Sequence, residues 1–204
     1  MRINLIGGPG VGKSTAAASI YGELAREGFD IALVEENIKI KAYLQQPYSC
    51  DSEQTLITMT QMMWEEVPLI SGIDHIITGS PVLFGCFYAW HNGNKNWPEM
   101  VSMSKKFDAK YPVSNFLLSR GDLKYQEEGR FETEKEAKSI DTQLRGFLKH
   151  VYKVEPPTYN VVADNRSIVE DIKRTLKGEE INTASRDDFS IIRDIEVAGL
   201  RKET

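Results

Sequence analysis

The 204-residue sequence predicts an α/β fold built on a parallel sheet. Three observations carry that expectation. Short apolar runs recur along the chain, helix-length stretches separate them, and a glycine-rich turn joins the first run to the first helix. Strands buried on both faces read as such runs, and parallel neighbours need crossovers of helix length between them.

The first run, Arg2 to Ile6, enters directly as a core strand, so no signal peptide is expected. Lys13 to Glu27 is the clearest helix: Ala16, Ile20 and Leu24 share one stripe, and Gly28 stands where a C-terminal cap belongs. Ile31–Val34 is the second strand. A second helix starts at Asp51, with Gln54 three residues on as a capping-box partner. Leu56, Met59 and Met63 fall on one face of it, and this stripe, with Met62 and Trp64, is expected to pack into the core or to wall a binding site. His75–Thr78 and Asn115–Leu118 are the third and fourth strands. Glu132 to Val151 reads as a helix, Asn160–Ala163 as the fifth strand and Ser167 to Leu176 as a last helix. Residues 179–204 carry seven acids against four bases and read as an appended helical extension to a domain spanning 1–178.

Composition narrows the class. Apolar residues make up 41% and charged residues 27%, which excludes a disordered chain. Two isolated cysteines, Cys50 and Cys86, exclude a disulfide scaffold and a zinc ribbon, and fit a reducing cytoplasm. No run approaches the ~18 apolar residues of a membrane span. The net charge of −5 argues against a general nucleic-acid coat, though a local patch can still touch one.

The most specific motif is Gly7-Gly8-Pro9-Gly10-Val11-Gly12-Lys13-Ser14, a complete GxxxxGK[ST] between a strand and a helix, with Thr15 following. Glycines let the backbone wrap closely enough for successive N–H groups to meet phosphate oxygens, and the helix N-terminus adds positive potential. Gly8, Pro9, Gly10, Val11, Gly12, Lys13, Ser14 and Thr15 are therefore the candidate ATP-binding residues. Lys13 reaches the β- and γ-phosphates in this chemistry, and the Ser14 hydroxyl ligates Mg²⁺.

Beyond the loop the chain resembles small P-loop kinases of the ribosylnicotinamide-kinase-like and thymidylate-kinase-like type, including those of bacteriophages. The resemblance runs through most of residues 1–176. It rests on the loop, on Leu33-Val34-Glu35-Glu36, on Ile76-Ile77-Thr78-Gly79-Ser80-Pro81, and on Arg120-Gly121-Asp122 through Arg130. It implies the three-layer P-loop NTPase fold, with a five-stranded parallel sheet, helices on both faces and ligands at the carboxyl ends of the strands. It also implies an acceptor-facing acid at Glu36 (Glu35 being its neighbour), a lid over about 120–138 with Arg120 and Arg130 as charge-neutralising catalytic groups, and an adenine contact at Asn165 within Ala163-Asp164-Asn165-Arg166. Relatives commonly carry a metal-binding acid where this chain has Gly79.

The implied activity is ATP- and Mg²⁺-dependent transfer of the γ-phosphoryl group to a hydroxyl of a nucleoside-type acceptor. Phage members of the group include kinases of 5-hydroxymethyluracil within DNA, a step in thymidine hypermodification. The stretch Cys86 to Tyr111 favours that narrower expectation. It interleaves Phe87, Tyr88, Trp90 and Trp97 with Lys95, Lys105, Lys106 and Lys110, and Trp90 or Trp97 is the expected stacking platform for an extruded base. A free nucleoside or ribosylnicotinamide kinase, a deoxynucleoside monophosphate kinase and a regulatory ATP-binding module are the alternatives. His75 and His150 have no neighbours that form a metal set, and His91 reads as a loop histidine.

Overall fold

The computed structural model describes residues 1–38, 50–121, 125, 132–160 and 165–179. Five strands form one sheet: β1 (Arg2–Ile6), β2 (Ile31–Val34), β3 (His75–Thr78), β4 (Val113–Ser119) and β5 (Thr158–Asn160). Every pairing is parallel, in the order β2-β3-β1-β4-β5. The helices are α1 (Lys13–Arg26), α2 (Asp51–Ile70), α3 (Val82–His91), α4 (Trp97–Lys110), α5 (Glu134–Gly146) and α6 (Asn165–Leu176), with a π-helical stretch at Phe147–Tyr152 after α5.

Alternation along β1 sorts its side chains to two faces. Ile3 and Leu5 face one core with Ala16, Ile20 and Leu24 of α1 and with Ile168, Val169 and Ile172 of α6. Ile6 faces the other, with Leu83 and Phe87 of α3, Met100 of α4, and Ile140, Leu144 and Phe147 from α5 onward. Arg2, on that same face, is buried and pairs with Glu65 of α2 at 2.9 Å and with Asp108 of α4. Burying a guanidinium is tolerable because two carboxylates pair with it and its Nε donates to the Tyr111 carbonyl at 3.2 Å.

Four local expectations need correction. Residues 97–110, to which the sequence reading assigns no helix, form α4. Pro98 in its first turn and the buried spacing of Met100, Val101, Ser104 and Phe107 are the helical signals that the charged surface obscured. The capping box at α2 does not form: Cys50 precedes the helix without a side-chain cap, and Gln54 is buried against the Gly85 carbonyl instead. A capping box does form at α5, between Thr133 and Glu136. Leu56, Met59, Met63 and Trp64 are exposed, and α2 buries Gln54, Thr58, Gln61 and Glu65. The proposed fifth strand begins two residues early, and 161–163 lie outside the described residues, as does 180–204.

Candidate active site

The carboxyl ends of the strands meet where β1 gives way to the phosphate loop. α1 starts at Lys13 behind Gly12, whose φ of 90° is left-handed and suits glycine. The helix has no side-chain N-cap and no acid in its first turn, so its N–H groups and dipole stay available to an anion. Ser14 and Thr15 are exposed beside them. The Lys13 ammonium donates to the Gly8 carbonyl at 2.9 Å and lies 5.2 Å over the Phe84 ring of α3.

Two further chain segments line this loop. After β3, Gly79 packs against α1: a Cβ there would stand 3.1 Å from Lys13 Cβ and 3.2 Å from its carbonyl carbon. A larger residue here would crowd the lysine that opens the helix. Ser80, the next residue, is buried and donates from its hydroxyl to Glu36 Oε1 at 3.3 Å. Glu36 is held for that contact by α2: Gln61 Nε2 donates to the Glu35 carbonyl, the Asn37 backbone N–H donates to Gln61 Oε1, and Asn37 Nδ2 donates to the Ile57 carbonyl at 2.9 Å. Of the two adjacent acids, Glu36 turns inward to Ser80 and Glu35 is exposed.

After β4, Arg120 folds back over the loop. Its Nη1 donates to the Pro9 carbonyl at 2.8 Å, while Nε and Nη2 donate to Asp141 Oδ2 at 3.0 and 2.8 Å. The other oxygen, Asp141 Oδ1, accepts the Gly8 N–H at 2.9 Å. Tyr125 lies against Gly10, and its ring centroid is 5.7 Å from the Arg120 guanidinium carbon. A small cavity of about 70 Å³ runs beneath, lined by Gly7, Gly8, Arg120, Asp141 and Arg145 among others.

No protein-family model and no curated protein matches the chain. Solved structures do resemble it. Deoxyadenosine kinase from M. mycoides, with product dCMP and a flexible dCDP bound, superposes with a TM-score of 0.53 at 18% identity. That match covers 87% of this chain and 100% of the other. The same enzyme with dATP bound gives 0.51 at 17% identity and the same coverage. NadR protein in complex with NR gives 0.64 at 12% identity, over 89% of this chain and 52% of its own. The fold is that of the P-loop kinases.

In that fold the structure brings together Lys13, Ser14, Ser80, Glu36 and Arg120 from four separate strand ends. It adds Asp141, Arg145 and Tyr125, which sequence reasoning missed. Asp141 and Arg145 are ordinary charged positions of an amphipathic helix, and only the docking of α5 over β4 brings them to the loop. Arg130 lies outside the described residues. Asn165 opens α6, but its side chain is not among those described.

Trp90 and Trp97, the residues expected to stack an extruded base, are partly buried. Phe87, Trp90 and Trp97 pack in or against the second core; Phe87 and Trp90 contact Phe147 at ring-centroid distances of 5.6 Å each. His91 stacks on Phe87 and pairs with Gln143 at 2.8 Å. Lys110 ends α4 just before β4, at the amino ends of the strands and away from the phosphate loop, and is paired with Glu66 at 2.8 Å.

Among the described residues no cluster of three His, Cys, Asp or Glu side chains could hold a metal by itself. The oxygen set that is present, Ser14 with Ser80 and Glu36 nearby, suits Mg²⁺, which keeps waters and takes much of its shell from phosphate. No helix among the described residues is long and apolar enough to cross a membrane.

Proposed function

We propose that the protein is an ATP-dependent kinase transferring the γ-phosphoryl group to a hydroxyl of a free nucleoside. The observation that carries this reading is the placement of Glu36, held by Gln61 and Asn37, against Ser80 beside the start of α1. A carboxylate fixed at that edge can receive the proton of an incoming hydroxyl.

The acceptor oxygen attacks the γ-phosphorus, the bond to the β–γ bridging oxygen breaks, and ADP leaves with that electron pair. Glu36 takes the hydroxyl proton and releases it to solvent. Lys13 leaves the Gly8 carbonyl for the phosphates, and Arg120 faces the charge that develops on the transferred group. Ser14 would help hold a bound Mg²⁺, which would supply neutralisation of phosphate charge. Positioning and electrostatics supply most of the rate.

The neighbours support a nucleoside acceptor, since one is a deoxyadenosine kinase and the other holds NR. Transfer to 5-hydroxymethyluracil in DNA is the narrower alternative, and the packing of Trp90 and Trp97 against the second core disfavours the platform on which it was based.

The test uses γ-labelled ATP, Mg²⁺ and parallel acceptors: deoxynucleosides, ribonucleosides including ribosylnicotinamide, deoxynucleoside monophosphates, and DNA with and without hydroxymethyluracil. Label on a free nucleoside, abolished by Lys13→Ala, is the expected result. Label only on modified DNA, or ATP turnover that no acceptor stimulates, overturns the reading.

A further inference from the structure

Helix α2 is amphipathic in the wrong sense for a monomer. Beyond its first turn every exposed position is apolar: Leu56, Met59, Met63, Trp64, Val67 and Ile70, between 36% and 66% exposed. Its inward face is polar and is held there by hydrogen bonds, Gln54 Oε1 alone among its described side-chain atoms being buried without a partner. Gln61 holds the segment after β2, Glu65 accepts from Arg2 and from the Val82 N–H at the start of α3, and Thr58 packs on Gly85. The helix therefore cannot roll its apolar stripe inward without breaking these contacts.

Large side chains offer roughly 150–250 Å² each. At the observed exposures the six leave on the order of 500–600 Å² of apolar surface, the upper end of what a monomer shows to water. With a polar rim this reaches the ~800 Å² per partner of a stable interface. The spacing names the occupant. Leu56, Met59, Met63, Val67 and Ile70 follow in steps of three, four, four and three residues, which reads the same in both directions about Met63. A two-fold axis at Met63 would set Leu56 against Ile70, Met59 against Val67, and Met63 against its own mate, the self-complementarity that an isologous interface requires. The stripe carries no charge. The chain end gives a poorer fit, because α6, from which residues 180–204 continue, packs with α1 on the opposite face of the sheet.

We infer that the exposed stripe of α2 is the interface of a homodimer, with the two copies of α2 antiparallel across Met63. The inference stands apart from the catalytic reading.

Sedimentation equilibrium of the full chain should give twice the 23.1 kDa chain mass. Met63→Glu should weaken the dimer roughly a hundredfold or more while far-UV circular dichroism is unchanged. Should that variant unfold, a crosslink decides. Met63→Cys in a Cys50→Ser background should oxidise to a 63–63 disulfide dimer under copper-phenanthroline, and Lys138→Cys in the same background should not. A monomer at all accessible concentrations overturns the inference. So does a monomer whose hydrophobic-dye binding rises when 180–204 are removed, which would make the chain end the cover. So does a dimer indifferent to a folded Met63→Glu.

Discussion

Asp141 ties Arg120 to the phosphate loop. One carboxylate oxygen takes two guanidinium hydrogen bonds at 2.8 and 3.0 Å, and the other takes the Gly8 N–H at 2.9 Å. The arginine thus stands over Pro9 before nucleotide arrives, so less ordering is needed on binding. Asp141 is a positioning residue in this arrangement. Asp141→Ala should lower kcat about 10- to 100-fold with a smaller change in KM for ATP. Asp141→Asn, which still accepts from Gly8, should recover part of the loss. Steady-state kinetics at saturating acceptor checks both.

In the proposed reaction the acceptor side depends on Glu36. Glu36→Gln keeps a partner for the Ser80 hydroxyl but removes the base. Its kcat should fall about 10²- to 10⁴-fold with ATP affinity nearly unchanged. Ser80→Ala, which loses one long hydrogen bond, should cost far less. Isothermal titration with a non-hydrolysable ATP analogue separates binding from turnover.

Restoring an acid at residue 79 should harm the enzyme. In Gly79→Asp the new Cβ stands 3.1 to 3.3 Å from Lys13 atoms, backbone included. Those atoms, two of them backbone, must give by a few tenths of an ångström where α1 begins. ATP affinity should fall by about tenfold or more, measured by the same titration.

The buried Glu65 links folding to pH. Burial pushes its pKa up to about 7, against the pull of Arg2. The folded state therefore binds this proton more tightly than the unfolded state, and its stabilising effect is complete below about 4.5 and is lost as pH rises to about 7. Urea midpoints should decline over that range relative to Glu65→Gln. Arg2→Met, which strands Glu65 without its partner, should cost about 3–5 kcal/mol at neutral pH.

The two thiols should separate cleanly. Cys50 is exposed, whereas Cys86 is buried and its thiol is pushed up to about 12 by desolvation. Ellman's reagent should count one thiol in the native protein and two in guanidinium. Rapid reaction of both would mean that α3 opens.

The phosphate loop and its strand-helix context were legible from residues 1–28, because that geometry is local: glycine torsions, a helix start and a cap all lie within the segment itself. Four of the five strands were equally legible, since burial on both faces leaves an apolar run. Helix α4 was not, because its charged surface outweighed a modest buried face. The inversion of α2 was invisible for a stronger reason. Periodicity reports which residues share a face, and it does not report what that face meets. Leu56, Met59 and Met63 do share one, as expected, but Arg2, Val82 and the segment after β2 supply polar partners for the other side.

The sequence by itself therefore determined the nucleotide-binding loop, the α/β alternation and the pairing of chemistry with strand ends. Only the tertiary structure decided that Glu36 and not Glu35 meets Ser80, that Asp141 and Arg145 come from a later helix to the loop, and that the aromatic residues of 86–111 serve the core. Those outcomes depend on contacts between distant segments, such as Gln61 with the backbone of residues 35–37, 24 and 26 positions away, and Asp141 with Gly8, 133 positions away. Spacing along the chain carries no record of such contacts.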